Sequence, residues 1–176
     1  KNALVEADGD FDKALDAMRK KGLTKAEKRG DRETREGLVD SYVHDGRIAA
    51  IVELNCETSF VAKTDEFKKI AHDIAMQIAS MNPIYISETE IPAEAKEKVI
   101  QEAENELKDD NKPEEIKAKI IEGKVRKHFE DKVLLSQPYI LDDSKTVEQY
   151  IKEAVAKTGE NITIRQFKRI ELGVTE

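Results

Sequence analysis

The side chains of this 176-residue chain that could act as nucleophiles or metal ligands are few and scattered. Cys56 is the one cysteine, and His44, His72 and His128 lack the close spacing of metal-ligand motifs. Ser59 lacks the flanking glycines of a nucleophile elbow. The sequence also has no G-x-x-x-x-G-K-[ST] segment, the loop that cradles nucleotide phosphates. We therefore expect a protein that is not an enzyme, has no catalytic residues, requires no metal or cofactor, and binds no nucleotide by itself.

A second kind of candidate site is the short segment Thr58, Ser59, Phe60 and Val61, called here the 58–61 loop. It lies in a polar stretch, residues 54–63, between an apolar strand pattern and an amphipathic helix pattern. Phe60 is its one aromatic residue and permits two interpretations. Either it packs back beneath the loop, because phenylalanine is often buried, or it is an exposed anchor for a partner, because aromatic residues are enriched at interface hot spots.

Composition restricts the classes of partner. Charged residues make up 38% of the chain, against an average of about 25%, and the two signs are interleaved as on solvated helix faces. A formal net charge of −7 argues against nucleic acid or an anionic membrane as a direct partner, since phosphate binding needs clustered Lys and Arg. No apolar run could span a bilayer, and a single cysteine fits a reducing compartment. We expect a cytoplasmic protein.

Two regular elements are predicted to hold the 58–61 loop. Before it, residues 38–54 read as a β-hairpin, because Asp45-Gly46 favours a type I′ turn and the following residues alternate. After it, residues 64–81 read as an amphipathic helix with Thr64 as N-cap. The apolar positions of these two elements are Ile48, Ala50, Val52 and Leu54 in the second strand, and Phe67, Ile70, Ala71, Ile74, Ala75 and Ile78 in the helix.

The N-terminal region has a different pattern. Residues 1–22 are predicted to form two helical pieces around a turn at 8–10, with Gly22 ending the second piece. In the second piece, apolar residues recur at helical spacing at Phe11, Ala14, Leu15 and Met18. Residues 23–37 are almost wholly polar and are predicted to be a flexible linker.

The remaining chain is mostly helical. Residues 91–133 predict helices that restart at Pro113, and Gly123 within them indicates a boundary or a close packing contact. A last helix is predicted over 146–157, with Gly159 as its cap.

A last strand is predicted over residues 161–173, with one face formed by Ile162, Ile164, Ile170 and Leu172. Two early strands, one late strand and helices between them predict an α+β fold, with a small antiparallel sheet packed with helices over residues 38–176.

The run from Asn55 to Thr64 resembles the signature of the elongation factor Ts family, the nucleotide exchange factors for elongation factor Tu. Ser59 stands where the usual family form, Thr-Asp-Phe-Val-Ala, has aspartate. Residues 1–22 are similar to the latter part of the family's ubiquitin-associated-like helical module, without its first helix, which implies N-terminal truncation. Further family-like segments occur in order along the chain, among them Ile121-Glu122-Gly123, Gln137-Pro138 and Gly159-Glu160-Asn161-Ile162.

The resemblance implies a partial helical module over 1–22, a linker over 23–37 and a core domain over 38–176. It implies a guanine nucleotide exchange factor that binds elongation factor Tu in its GDP and nucleotide-free forms. In that family Phe60 would wedge between helices of the GTPase, and Thr58, Ser59 and Val61 would lie near the nucleotide and magnesium. A homodimer is also implied as possible. The alternative is a scaffold or chaperone-like helical protein that binds a GTPase without driving exchange.

Overall fold

A computed structural model describes residues 5–8, 10–108, 110 and 112–174. The chain forms two compact units, one of Lys1–Ser80 with Glu148–Glu176 and one of Met81–Val147. The family-like residues 1–4 and Gly9 of the predicted N-terminal turn lie outside the described residues. The helices and strands, in chain order, are α1 (Phe11–Glu27), β1 (Glu36–His44), β2 (Ile48–Cys56), α2 (Ser59–Ala62), α3 (Asp65–Met81), α4 (Ala93–Glu106), α5 (Glu114–Glu130), β3 (Pro138–Tyr139), β4 (Asp142–Thr146), α6 (Val147–Thr158) and β5 (Ile162–Glu171).

The first unit is built on a three-stranded antiparallel sheet in the order β1-β2-β5. The predicted hairpin is confirmed, with Asp45 and Gly46 at φ values of 49° and 66°, as a type I′ turn requires. Ala50, Val52 and Leu54 are buried on one face of β2, as their alternation predicts. The fold is therefore α+β with a small antiparallel sheet, in agreement with the sequence.

Strand β5 departs from the prediction because it contains a β-bulge. Glu53 pairs with Gln166 and Leu54 with Ile164, so Arg165 is an extra residue that reverses the alternation of side chains. Ile162 and Ile164 consequently share the inner face with Phe167, which pairs with Val52. Ile170 and Leu172 are 71% and 62% exposed, and the prediction that they share the face of Ile162 is wrong.

Helix α3 covers the inner face of the sheet, and its predicted stripe is confirmed. All six predicted apolar positions of α3 are buried. Thr64 is its N-cap, because the Thr64 hydroxyl accepts a hydrogen bond from the Phe67 amide at 3.2 Å. The helix is fixed to the sheet by Arg169 of β5, whose Nε donates to the Ala79 carbonyl at 3.1 Å.

Helix α1 differs from its prediction in length. It passes through Gly22 and ends at Glu27, so the prediction that Gly22 ends it is wrong. A Cβ atom at Gly22 would lie 3.2 Å from Ala156 Cβ, which shows that Gly22 allows α1 to approach α6. Of the four apolar residues at helical spacing, Ala14 is buried, whereas Phe11, Leu15 and Met18 are exposed.

The residues after α1 make specific contacts. Arg29 Nη1 donates to the Val155 carbonyl at 3.2 Å. The Asn161 side-chain amide donates to the carbonyls of Gly30 and Arg32 at 3.2 and 2.7 Å. The predicted boundary between residues 22 and 23 falls inside α1. The division into a ubiquitin-associated-like module over 1–22 and a linker over 23–37 stays a prediction.

The second unit contains the helical pair α4 and α5 and the two-stranded ribbon of β3 and β4. Ile91, Val99, Phe129 and Val133 form its buried cluster. Gly123 lies inside α5, and an added Cβ would meet nothing within 4 Å, so neither the boundary nor the close contact expected there occurs. None of the helices within the described ranges combines the length and the apolar character needed to cross a membrane.

Candidate functional site

The 58–61 loop connects the buried end of β2 to α3, and it contains one turn of helix. Thr58 is extended, with φ −130° and ψ 151°, and α2 begins at the next residue. The Ala62 amide donates to the Thr58 carbonyl at 3.3 Å, and the Thr64 amide donates to the Val61 carbonyl at 3.0 Å. The loop is therefore a defined backbone structure between two packed elements.

Phe60 projects from this turn into solvent. Its side chain is 86% exposed, whereas Ala62, two residues later, is buried. Thr58, Ser59 and Val61 are half-buried at the base of the turn. The interpretation in which Phe60 packs beneath the loop is therefore wrong, and the interpretation in which it is exposed agrees with the structure. An exposed aromatic on an ordered turn is a suitable anchor for a partner protein.

A network from the other end of the chain holds the base of the loop. Both oxygens of the Glu160 carboxylate accept from Thr58, Oε2 from the amide at 2.9 Å and Oε1 from the hydroxyl at 2.5 Å. Glu57 Oε1 accepts a hydrogen bond from the backbone amide of Asn161 at 2.7 Å. Glu160 lies in a family-like segment of the sequence, but nothing in the sequence connects it to the loop, because it is 102 residues away from Thr58.

Cys56 lies at the end of β2, fully buried under the loop, and its Sγ donates to the Thr58 carbonyl at 3.2 Å. Burial raises the pKa of the Cys56 thiol, and the negative charge of Glu160 raises it further. A thiol with a raised pKa remains protonated near neutral pH and is a poor nucleophile. Cys56 is therefore a packing residue of the site.

The three histidines do not converge on the site. His44 contacts the Tyr42 hydroxyl at 3.1 Å, His72 lies 3.3 Å from the Asp40 carboxylate, and His128 lies 2.9 Å from Lys132 Nζ. Among the described residues, no group of three or more His, Cys, Asp or Glu side chains is arranged to hold a metal ion. The distinctive feature of the site is an ordered helical turn that exposes the aromatic side chain of Phe60.

Comparisons with known proteins point to one family. The sequence profile described as "Elongation factor TS" matches residues 23–174. The elongation factor Ts of Fervidobacterium nodosum is 49% identical over 174 residues, which cover 98% of this chain and 88% of that protein. The elongation factor Ts of Thermotoga maritima is 49% identical over 98% of this chain and 86% of its own length. That of Syntrophomonas wolfei is 50% identical over 98% of this chain and 81% of its own length.

Proposed function

This chain belongs to the elongation factor Ts family, and we propose that it acts in translation elongation as a guanine nucleotide exchange factor for elongation factor Tu. It binds the GDP form of that GTPase, promotes release of GDP, and remains bound to the nucleotide-free form. It supplies no catalytic group, because exchange requires only differential binding to two states of the GTPase.

The exposure of Phe60 is the observation that carries this proposal. A phenylalanine that is 86% exposed contributes little to the stability of its own fold. Its position on an ordered turn between β2 and α3 suits insertion into a partner, because little conformational freedom is lost on binding. We propose that Phe60 wedges between helices of the GTPase nucleotide domain.

The rest of the 58–61 loop acts at the magnesium side of the nucleotide. Magnesium binds oxygen ligands in a strict octahedron and ties the nucleotide phosphates to the GTPase, so disturbing its shell weakens the hold on GDP. In the family this disturbance is attributed to the aspartate that Ser59 replaces. A serine hydroxyl forms only neutral hydrogen bonds, roughly half as strong as charge-assisted ones. Phe60 therefore carries the larger part of the effect in this chain.

Exchange of this kind is a coupling between two ligands of one GTPase. The factor and GDP each lower the affinity of elongation factor Tu for the other by the same ratio. A coupling of about 1–3 kcal/mol is typical of allosteric pairs. This reciprocity separates an exchange factor from a scaffold, which would bind the GTPase with equal affinity whether or not GDP is present.

Stopped-flow release of fluorescent GDP from elongation factor Tu tests the proposal. The wild-type chain should accelerate release, and Phe60→Ala should remove most of the acceleration, by about 30-fold or more, as expected for a hot-spot aromatic worth about 2 kcal/mol. Leu141→Ala is the matched control, because it truncates another exposed apolar side chain, on the turn that joins β3 to β4. If the chain binds elongation factor Tu but leaves GDP release unchanged, the scaffold alternative is correct.

A further inference from the structure

The contact between the 58–61 loop and the start of β5 continues the sheet beyond its last backbone pair. The β2–β5 ladder ends where Cys56 pairs with Ile162. The same antiparallel register would place Glu57 opposite Asn161 and Thr58 opposite Glu160. At these two positions side-chain carboxylates accept the backbone amides: Glu57 accepts from Asn161 and Glu160 accepts from Thr58, at 2.7 and 2.9 Å.

Thr58 gives both of its donors to Glu160. The amide donates to one carboxylate oxygen at 2.9 Å and the hydroxyl donates to the other at 2.5 Å. An N-cap threonine ordinarily turns its oxygen toward the first helical amides. Within the described part of the chain, Thr58 makes no such bond to α2. Both donors of the residue that precedes α2 are therefore bound by a residue outside this helix.

A helical turn of four residues cannot hold its own direction, because helix nucleation is unfavourable at that length. Glu160 is in turn held by the ordered end of α6. Its amide donates to the Thr158 hydroxyl at 3.3 Å, and Gly159 takes the positive φ of 81° that ends the helix. Asn161, the next residue, is bound to the carbonyls of Gly30 and Arg32. The carboxylate therefore connects the loop to rigid structure.

We propose that Glu160 is a positioning residue of the site: its carboxylate fixes Thr58, and through Thr58 it fixes the direction in which α2 presents Phe60 to the GTPase. The inference rests on the exchange function proposed above. It makes Glu160, which is 102 residues after Thr58 in the sequence, part of the candidate site formed by the 58–61 loop. It also predicts that the effect of Glu160 on exchange passes through Phe60.

The test is a double-mutant cycle on the rate of GDP release at saturating concentrations of the factor. Glu160→Gln keeps the size of the side chain and can still bond both groups of Thr58, accepting from the amide and donating to the hydroxyl, but it removes the negative charge that strengthens both bonds. We expect Glu160→Gln to lower the maximal rate about tenfold in the wild-type background, because neutral hydrogen bonds are roughly half as strong as charge-assisted ones. In the Phe60→Ala background it should have little further effect, because the side chain to be positioned is gone. Glu53→Gln is the matched control, since Glu53 on β2 is also a carboxylate that accepts a hydrogen bond, from Gln166 Nε2 on the sheet surface.

Each other outcome overturns the inference. A lower melting temperature with an unchanged maximal rate would assign Glu160 a structural role alone. An equal loss of rate in both backgrounds would show that Glu160 acts independently of Phe60. Hydrogen exchange at the Thr58 amide is a readout that does not depend on the rate of GDP release. Unchanged protection of this amide in Glu160→Gln would show that the Glu160 carboxylate does not hold the loop. If the wild-type chain does not accelerate GDP release, the exchange function itself fails and the positioning role fails with it, whatever the Thr58 amide shows.

Discussion

At residue 59 a neutral hydroxyl stands where the elongation factor Ts family usually has a carboxylate. We expect Ser59→Asp to raise the rate of GDP release about tenfold, equivalent to about 1.4 kcal/mol of barrier, by adding a negative charge near the magnesium shell. The gain should shrink as magnesium is lowered, because the target of the carboxylate is then already depleted. Stopped-flow release measured over a magnesium series gives both quantities.

Ser59→Asn is the control for this change, because asparagine has the shape of aspartate without its charge. It should leave the release rate close to that of the wild type at every magnesium concentration. If Ser59→Asp and Ser59→Asn behave alike, the charge at position 59 has no role in this chain. The mechanism would then rest on the Phe60 wedge alone.

Cys56 predicts a pH dependence of stability. Burial raises the pKa of the folded thiol, with Glu160 adding to the shift, whereas the unfolded thiol titrates near its ordinary value of about 8.5. The Cys56 thiol contributes to the free energy of unfolding in full below the pKa of the unfolded thiol, and this contribution is lost as the pH rises through the pKa of the folded thiol. The reason is that, between the two pKa values, the unfolded chain releases the thiol proton and the folded chain keeps it. We therefore expect the free energy of unfolding to fall as the pH is raised above about 8.5.

Urea denaturation at several pH values between neutral and alkaline measures this effect. Cys56→Ala should lower stability at neutral pH by loss of packing, and its stability should decline less steeply under alkaline conditions. Using the difference between the two proteins removes the titration of tyrosines and lysines common to both. Parallel pH profiles for wild type and variant would contradict the assignment.

At the scale of single elements, two glycines are predicted to respond in opposite directions to alanine. A Cβ at Gly37 of β1 would lie 2.2 Å from the Leu54 carbonyl oxygen and 2.8 Å from Asn55 Cα, both backbone atoms of β2. We expect Gly37→Ala to destabilise the protein by about 1–3 kcal/mol, the usual cost of overpacking. Gly123→Ala should stabilise it by up to about 1 kcal/mol, because Gly123 is inside α5 with open space around it. Urea denaturation followed by circular dichroism measures both, and a destabilised Gly123→Ala or an unaffected Gly37→Ala would contradict this packing.

The hairpin and α3 could be predicted from local signals, because each is specified by residues that are consecutive in the sequence. The Asp45-Gly46 turn fixes its own geometry, and the period of α3 together with the Thr64 cap needs no distant partner. The bulge at Arg165 could not be predicted, since it is a property of the pairing with β2. The prediction that Gly22 ends α1 was wrong for a related reason. A glycine after basic residues is a local signal for a helix end, whereas the close approach of Ala156 that Gly22 permits is a tertiary contact.

The candidate site divides in the same way. The sequence predicts that Thr58, Ser59, Phe60 and Val61 form one loop, because they lie between a strand pattern and a helix pattern. The exposure of Phe60 could be determined only from the structure. The Glu160 carboxylate reaches the loop only after β5 has paired with β2, so it has no signal near position 58.

At the scale of the whole molecule, neither the fold class nor the net charge of −7 identifies the function. A small α+β fold supports many activities, and an acidic surface excludes some partners without selecting one. The assignment to a family depends on sequence similarity along nearly the whole chain. We therefore propose that a partner of this protein is recognised by the shape and apolar surface of a few residues, among which Phe60 is the most exposed.

Self-association is the remaining whole-molecule prediction. Within the described residues, β1 and β5 each pair with β2 alone, so the sheet has two edges. Exposed sheet edges invite pairing with another chain. The family resemblance implies that a homodimer is possible, and we expect a symmetric dimer with a light-scattering mass near twice the chain mass of 19.9 kDa.

A lysine on an edge strand is a barrier to such pairing, which gives the test of this dimer. Val43 is 60% exposed on β1, and Val43→Lys should shift the mass toward that of a single chain by placing an ammonium group at the edge. Ile116→Lys is the matched control, because it adds the same charge at an exposed apolar position of α5, outside the sheet. A mass near 19.9 kDa for the wild type at high protein concentration would rule the dimer out. Equal dissociation by both variants would contradict pairing at the sheet edge, since added charge alone would then account for the loss of the dimer.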